Sequence, residues 1–330
     1  MHEKPKKPTV SETESVLALV ERLRLLKEER SAIREKMDQF SDDEESDRET
    51  KEERDAYTVK HKALMEEYKL SSDEMRLVIE YKKAKSGPER KLNCRVFEDI
   101  KSDEFRECLK SIIENGETGQ RFQAMMQDPK KSPEHWSTAD ILVDKEGIRI
   151  LHFDAINATN NRKGGLDGDI LEEVLKSLES SKPISLVDTY MEVDGKIVAL
   201  QRDSRSCSLF ATGVALDMSK IPHLHELAKE HAVRFEDSPV KNNVTRYSID
   251  AIYLPASFVR NTQLPSLIDY YEKHQSEALS VIPKKSGPKK LKEYVDSRSH
   301  QLQNLGLLHS RKHYKEIVDE KKQENIPKKK

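Results

Sequence analysis

The stretch STADILVDKEGIRILHFDA, Ser137 to Ala155, limits what this chain can fold into more than any other. Two β-rich runs flank a charged turn ending in Gly147, the pattern of an antiparallel hairpin. Around it, helical and strand-like text alternate. SDEFRECLKSIIENG, LDGDILEEVLKSLES and LIDYYEKHQSEAL read as helices, and SLVDTYMEVDGKIVALQ and YSIDAIYLP as strands. Helices and strands mixed around one hairpin predict an α+β domain, placed over residues 89–282.

The flanks have another character. From Thr9 to Phe40, Ser11 and Glu14 form a capping box, and Val16, Leu17, Val20, Leu23 and Leu26 recur at helical spacing. An acidic run follows, then helical text up to the stop Ser86-Gly87-Pro88, so residues 1–88 read as a helical, partly coiled extension with a disordered start, solvated and free of chemistry. Residues 283–330 read as a linker, a basic helix and a frayed Lys-rich tail. With 35% hydrophobic against 36% charged residues, the chain can fill one medium core but hardly two.

Charge and cysteine usage exclude further classes. Fifty-eight Lys+Arg against 60 Asp+Glu leave a net charge of -2, which gives no global pull toward nucleic acid or an anionic membrane; an anion must be met by a local cluster. MHEKPKKPTVSETE has no apolar core of a Sec-type signal, and no window reaches the roughly 18 apolar residues of a membrane span. A soluble protein is expected, exported if at all by a specialised machine. Three cysteines, Cys94, Cys108 and Cys207, form no CxxC pair and argue against a disulfide framework or a zinc site.

Cys207 stands where the polar QRDSRS turns into the apolar SLFATGVAL, the start of a helix whose free N–H groups and dipole favour a thiolate. Pairing the hairpin with Val143 opposite Ile148 places Ser137 against Asp154, so His135 becomes the diagonal neighbour of Asp154 on one face, about 7–8 Å away between backbones. A Cys-His-Asp set needs each type. The imidazole takes the thiol's proton, and the carboxylate fixes the tautomer. Gln201, six residues before Cys207, carries an amide able to donate to an oxyanion. His152 is a rival base on the face of Asp154, but a cross-strand pair converges better, which favours His135. The ordinary readings stay open: a core thiol, a ring packed beside Trp136, and an aspartate capping a turn. Cys108 lies in an amphipathic helix and Cys94 in a linking segment, neither with a His-carboxylate pair to join.

The ordered set in EHWSTADILVDKEGIRILHFDA, QRDSRSCSLFATGVAL and IYLPASFVRNTQ resembles the YopJ family of bacterial effector acetyltransferases, whose catalytic domain is related to the clan CE ubiquitin-like-protein proteases. The resemblance spans about Phe122 to Tyr271. It implies a papain-type cysteine protease fold of the clan CE kind, with His135 as general base, Asp154 as orienter, Cys207 as nucleophile and Gln201 at the oxyanion hole. Two positions depart from the family: Asp154 stands where Glu is frequent, and Ser208 where Gly usually follows the Cys, with the prospect of crowding the acyl site. The implied chemistry is ping-pong transfer of acetyl from acetyl-CoA to Ser, Thr or Lys of host signalling proteins, kinases among them, by a secreted effector acting in the host cytoplasm. Inositol hexakisphosphate is the implied activator, and Arg260 or the group Lys284, Lys285, Lys289, Lys290 and Lys292 are candidates to bind such an anion. The rivals are a clan CE protease of ubiquitin-like tails and an inactive binding protein.

Overall fold

The computed structural model describes residues 69–85, 92–129, 135–156, 166–201, 207–235, 240–259, 265–274, 281–282 and 289–290, with helical positions scattered between 14 and 60. In chain order the elements are α1 (Ser72–Lys85), β1 (Cys94–Phe97), α2 (Asp103–Asn115), β2 (Arg121–Asp128), β3 (His135–Val143), β4 (Ile148–Phe153), α3 (Leu166–Ser177), β5 (Ile184–Tyr190), β6 (Glu192–Val193), β7 (Lys196–Ile197), α4 (Cys207–Met218), α5 (Leu224–His231), β8 (Val233–Arg234), β9 (Val244–Asp250), α6 (Pro265–His274), β10 (Val281–Ile282) and β11 (Lys289–Lys290). Seven strands form one mixed sheet in the order β1-β2-β3-β4-β5-β9-β8.

The hairpin at its centre has the expected register, with pairs running from Val143 and Ile148 to Thr138 and Phe153. Its turn is closed by Asp144, whose Oδ1 accepts from the backbone N of Glu146 at 2.7 Å and of Gly147 at 2.9 Å. Gly147 has φ +149°, and a Cβ there would sit 2.2 Å from the Pro183 carbonyl oxygen, so only glycine lets the turn press against the start of β5.

Hydrophobic alternation sorts the helices onto two faces. Ala139, Ile141, Ile148 and Ile150 pack with Phe105 and Leu109 of α2 and Leu171 and Leu175 of α3. Leu151 and Phe153, of opposite parity, pack with Phe210, Val214 and Met218 of α4, Leu224 of α5 and Tyr271 of α6. Helix α4 is buried at every position, and its other stripe, Cys207, Ala211 and Ala215, joins Trp136, Met75, Val78 and Leu19, Leu26 and Ile33 of the amino-terminal region.

Several expectations need correction. The segment holding Cys94 is not a link but strand β1, parallel to the unforeseen β2. YSIDAIYLP stops being a strand at Asp250, whose side chain accepts from Ile252 N and opens a 3-10 turn, Ala251–Tyr253. SLVDTYMEVDGKIVALQ is β5 followed by the small β6–β7 hairpin, with Asp194 and Gly195 at positive φ in its turn. The segment read as a carboxyl-terminal linker contains β11, which pairs with β10 at the end of the expected 89–282 domain. The amino-terminal positions Leu19, Leu26 and Ile33 are core residues, not a solvated face, while Ser11, Val16, Val20 and Leu23 lie outside the described residues. Among the described residues, no helix is long and apolar enough to cross a membrane.

Candidate active site

Three element ends converge at one end of the sheet. His135 is the first residue of β3, Asp154 follows the last residue of β4, and Cys207 opens α4. The Cys207 Sγ lies 3.5 Å from His135 Nδ1. On the far side of the ring, Nε2 lies 2.9 Å from Asp154 Oδ1. Gln201 Nε2 donates to the sulfur at 3.2 Å, and the backbone N of Gln201 is tied to the Ala155 carbonyl at 3.0 Å, which fixes its side chain relative to the β4 end. The four residues read from the sequence are thus brought together, and all are buried, the most exposed being Asp154 at 7%.

Burial is what makes the electrostatics strong. It disfavours charge on the His135 ring, but Asp154 first, then the bond to Cys207 and then Asp167 outweigh it and raise His135 to about 11. In return the ring holds Asp154 well below the usual carboxylate range, against its own burial and with help from the Ile156 N–H, which donates to Oδ1 at 2.9 Å. A positive imidazole 3.5 Å from sulfur stabilises negative charge there, as does the start of α4, whose first N–H groups have no helical acceptor. Of the other cysteines, burial pushes the Cys94 thiol up to about 12 and raises Cys108 as well.

The rival base is occupied elsewhere. His152 Nδ1 lies 2.8 Å from Asp188 Oδ1, inside a buried cluster with Arg246. Trp136, beside the candidate base, packs in the same apolar cluster as Cys207.

Two features were not read from the sequence. Asp167, in the first turn of α3, places Oδ2 3.2 Å from His135 Nε2 and is fully buried. The only hint was LDGD, and acidic residues open many helices for the sake of the dipole. Ser208 does not simply stand in for a glycine. Its Oγ accepts a buried bond from Leu70 N at 2.9 Å, directing the hydroxyl to the segment that leads into α1.

Of the candidate anion-binding residues, Arg260, Lys284, Lys285 and Lys292 lie outside the described residues, and Lys289 and Lys290 form β11. A cavity of about 160 Å³ lies at the other end of the sheet, lined by Arg149, Lys229 and Tyr247 beside the Asp144–Gly147 turn, and shares no residue with the cysteine site.

No curated protein matches significantly in sequence. Among solved structures, AvrA delL154 with IP6 and CoA superposes with a TM-score of 0.50 at 18% identity, covering 91% of this chain and 98% of that one. HopZ1a in complex with IP6 and CoA gives a TM-score of 0.49 at 12% identity over 79% of this chain and 92% of that one. The likeness to AvrA is one of fold, a mixed α+β architecture of the papain-like kind. A family model described as YopJ serine/threonine acetyltransferase matches residues 33–326, nearly the whole chain. With that span the chain belongs to the YopJ serine/threonine acetyltransferase family.

Proposed function

We propose that the protein is a ping-pong protein acetyltransferase with Cys207 as nucleophile, His135 as general base, Asp154 as its orienting carboxylate and Gln201 as a donor to the oxyanion. The observation that carries this reading is the sulfur held 3.5 Å from His135 Nδ1 and 3.2 Å from the Gln201 amide, in a chain of this family. The Cys207 thiolate attacks the acetyl carbonyl of acetyl-CoA. The carbonyl oxygen gains negative charge beside the Gln201 amide, and the C–S bond to CoA breaks with loss of the CoA thiolate, which takes up a proton from His135. An acceptor hydroxyl or amine then gives its proton to His135, attacks the thioacetyl carbonyl, and Cys207 leaves as the thiolate.

Serine and threonine are the favoured acceptors by the family's description, with lysine as the alternative. The proposal extends to a secreted effector acting on host signalling proteins, and to inositol hexakisphosphate as activator, because the AvrA structure holds IP6 and CoA. Arg260 and the Lys284 to Lys292 group are the proposed phosphate-binding candidates.

The test is mass spectrometry of the full chain incubated with acetyl-CoA, with and without inositol hexakisphosphate and a co-incubated kinase. The native protein is expected to gain acetyl groups, more with the inositol phosphate, and Cys207→Ala to gain none. Acetylation of Cys207→Ala at the native rate, or cleavage of ubiquitin or SUMO fusions without acetyl transfer, defeats the assignment, the second outcome in favour of a protease.

A further inference from the structure

We propose that Asp167 is a second carboxylate partner of His135, a positioning residue that acts with Asp154 to hold the ring and its positive charge beside Cys207. The inference rests on the reading of Cys207 and His135 as a reactive pair. Its ground is that Asp167 Oδ2 lies 3.2 Å from the same Nε2 that Asp154 Oδ1 meets at 2.9 Å, with both carboxylates buried.

An acidic residue in a helix's first turn is ordinarily a solvated partner of the dipole. Asp167 is instead fully buried, where an ionised carboxylate is costly unless it faces a charge. Its neighbours show how the sequence keeps it there. At Gly168 a Cβ would stand 2.4 Å from Asp188 Oδ1 and 2.7 Å from Arg246 Nη2, so the backbone of α3 presses directly on that ion pair. Asp169 accepts from Arg246 Nη1, which also donates to Glu172 at 3.0 Å. With residue 168 packed on Asp188 and residue 169 bonded to Arg246, residue 167 is fixed against His135.

One carboxylate suffices to choose the tautomer of an imidazole, since Nε2 carries a single proton. A second anion adds Coulomb stabilisation of the imidazolium that must form when the Cys207 proton moves to the ring. The groups facing the ring are Asp154 from the end of β4, Asp167 from α3 and Cys207 from α4, with His152 acting on Asp154 from within β4. Removing the Asp167 charge therefore weakens the hold on the imidazolium that faces the Cys207 sulfur.

The experiment uses the full chain and two readouts: the pH dependence of Cys207 alkylation by iodoacetamide, and the titration of His135 followed by NMR with labelled histidine. Asp167→Asn preserves shape and removes charge. It is expected to slow alkylation at pH 7 at least threefold, to move the rising limb to higher pH and to lower the His135 midpoint, with Asp154→Asn showing a larger change of the same sign. Asp167→Ser is read in the same way should the Asn variant fail to fold. A merely structural Asp167 would lower the melting temperature and leave both profiles in place. Profiles that superimpose on the native ones, or a native His135 titrating near the ordinary 6.5, overturn the proposal. Neither readout needs acetyl-CoA, so shifted profiles in a chain that never becomes acetylated would defeat the proposed function and leave this inference standing.

Discussion

The proton on His135 has a thermodynamic signature. Its folded value, about 11, lies above the ordinary 6.5 of an unfolded histidine, so between these values the native state holds a proton that the unfolded state has lost. The stability this contributes is complete below pH 6.5, falls as pH rises and is gone above about 11. Urea midpoints measured from pH 6 to 10 are expected to fall more steeply for the native chain than for His135→Gln, and parallel slopes would contradict a buried imidazolium. Near pH 6 the variant is also expected to be less stable by about 3–5 kcal/mol, because two buried carboxylates lose their cation, and the gap is expected to narrow as pH rises. The nearness of His135 and Asp154 was legible in the hairpin register, and Cys207 stood out at a helix start, while the family resemblance is what joined Cys207 and Gln201 to that pair. Asp167 was not legible, because it comes to the ring through the packing of α3 on Asp188 and Arg246, which no local spacing encodes.

At the scale of elements, legibility followed burial. The β3–β4 hairpin announced itself through its turn residues, and α2 through Ser102, whose side chain accepts from Phe105 N, and through an apolar stripe of Phe105, Leu109, Ile112 and Ile113. Strand β2 did not, because it is covered on both faces and carries Gln123, Gln127 and Asp128 inside, erasing the alternation that marks a half-buried strand. Gln123 is there for a reason that only the fold reveals: its Nε2 donates to Asp140 Oδ2 at 2.9 Å, within a cluster in which Arg121 also reaches the Met218 carbonyl at the end of α4. The start of α4 is secured by Ser208. Replacing Ser208 by Ala leaves the buried Leu70 N–H without its acceptor, and a loss of about 1–3 kcal/mol is expected. Ser208→Gly is expected to lose a similar amount, since it too removes the acceptor, and position 208 lies in the first turn, outside the helix interior where glycine costs most. Thermal denaturation of both variants checks this, and a Gly variant as stable as the native chain would show that the bond to Leu70 contributes nothing.

For the whole molecule, the question is whether the amino-terminal region is an attachment or part of the same cooperative unit. Leu19, Leu26 and Ile33, spaced by seven, are at most 5% exposed and share one apolar cluster with Met75 and Val78 of α1 and with Cys207, Ala211 and Ala215 of α4. Arg22 reaches the Glu74 carboxylate and so links the two regions by charge as well. The stripe of α4 that carries the nucleophile candidate is therefore covered by residues read from the sequence as a solvated extension. Hydrophobic periodicity was visible there, but an amphipathic helix does not say which surface receives its apolar side. If the region is integral, Leu26→Ala opens a cavity beside α4 and costs about 2–5 kcal/mol, as does an equivalent truncation within any core. The chain should then unfold in one urea transition, with the midpoint of Leu26→Ala and of Ile33→Ala lowered in both far-ultraviolet dichroism and Cys207 alkylation. An attachment gives another result: an early transition of its own, shifted by these substitutions, with the exposure of Cys207 at its native midpoint. Because alkylation reports on the sulfur itself, coincidence of the two probes would tie the amino-terminal helices to the cysteine site, and their separation would return those helices to the role of an independent extension.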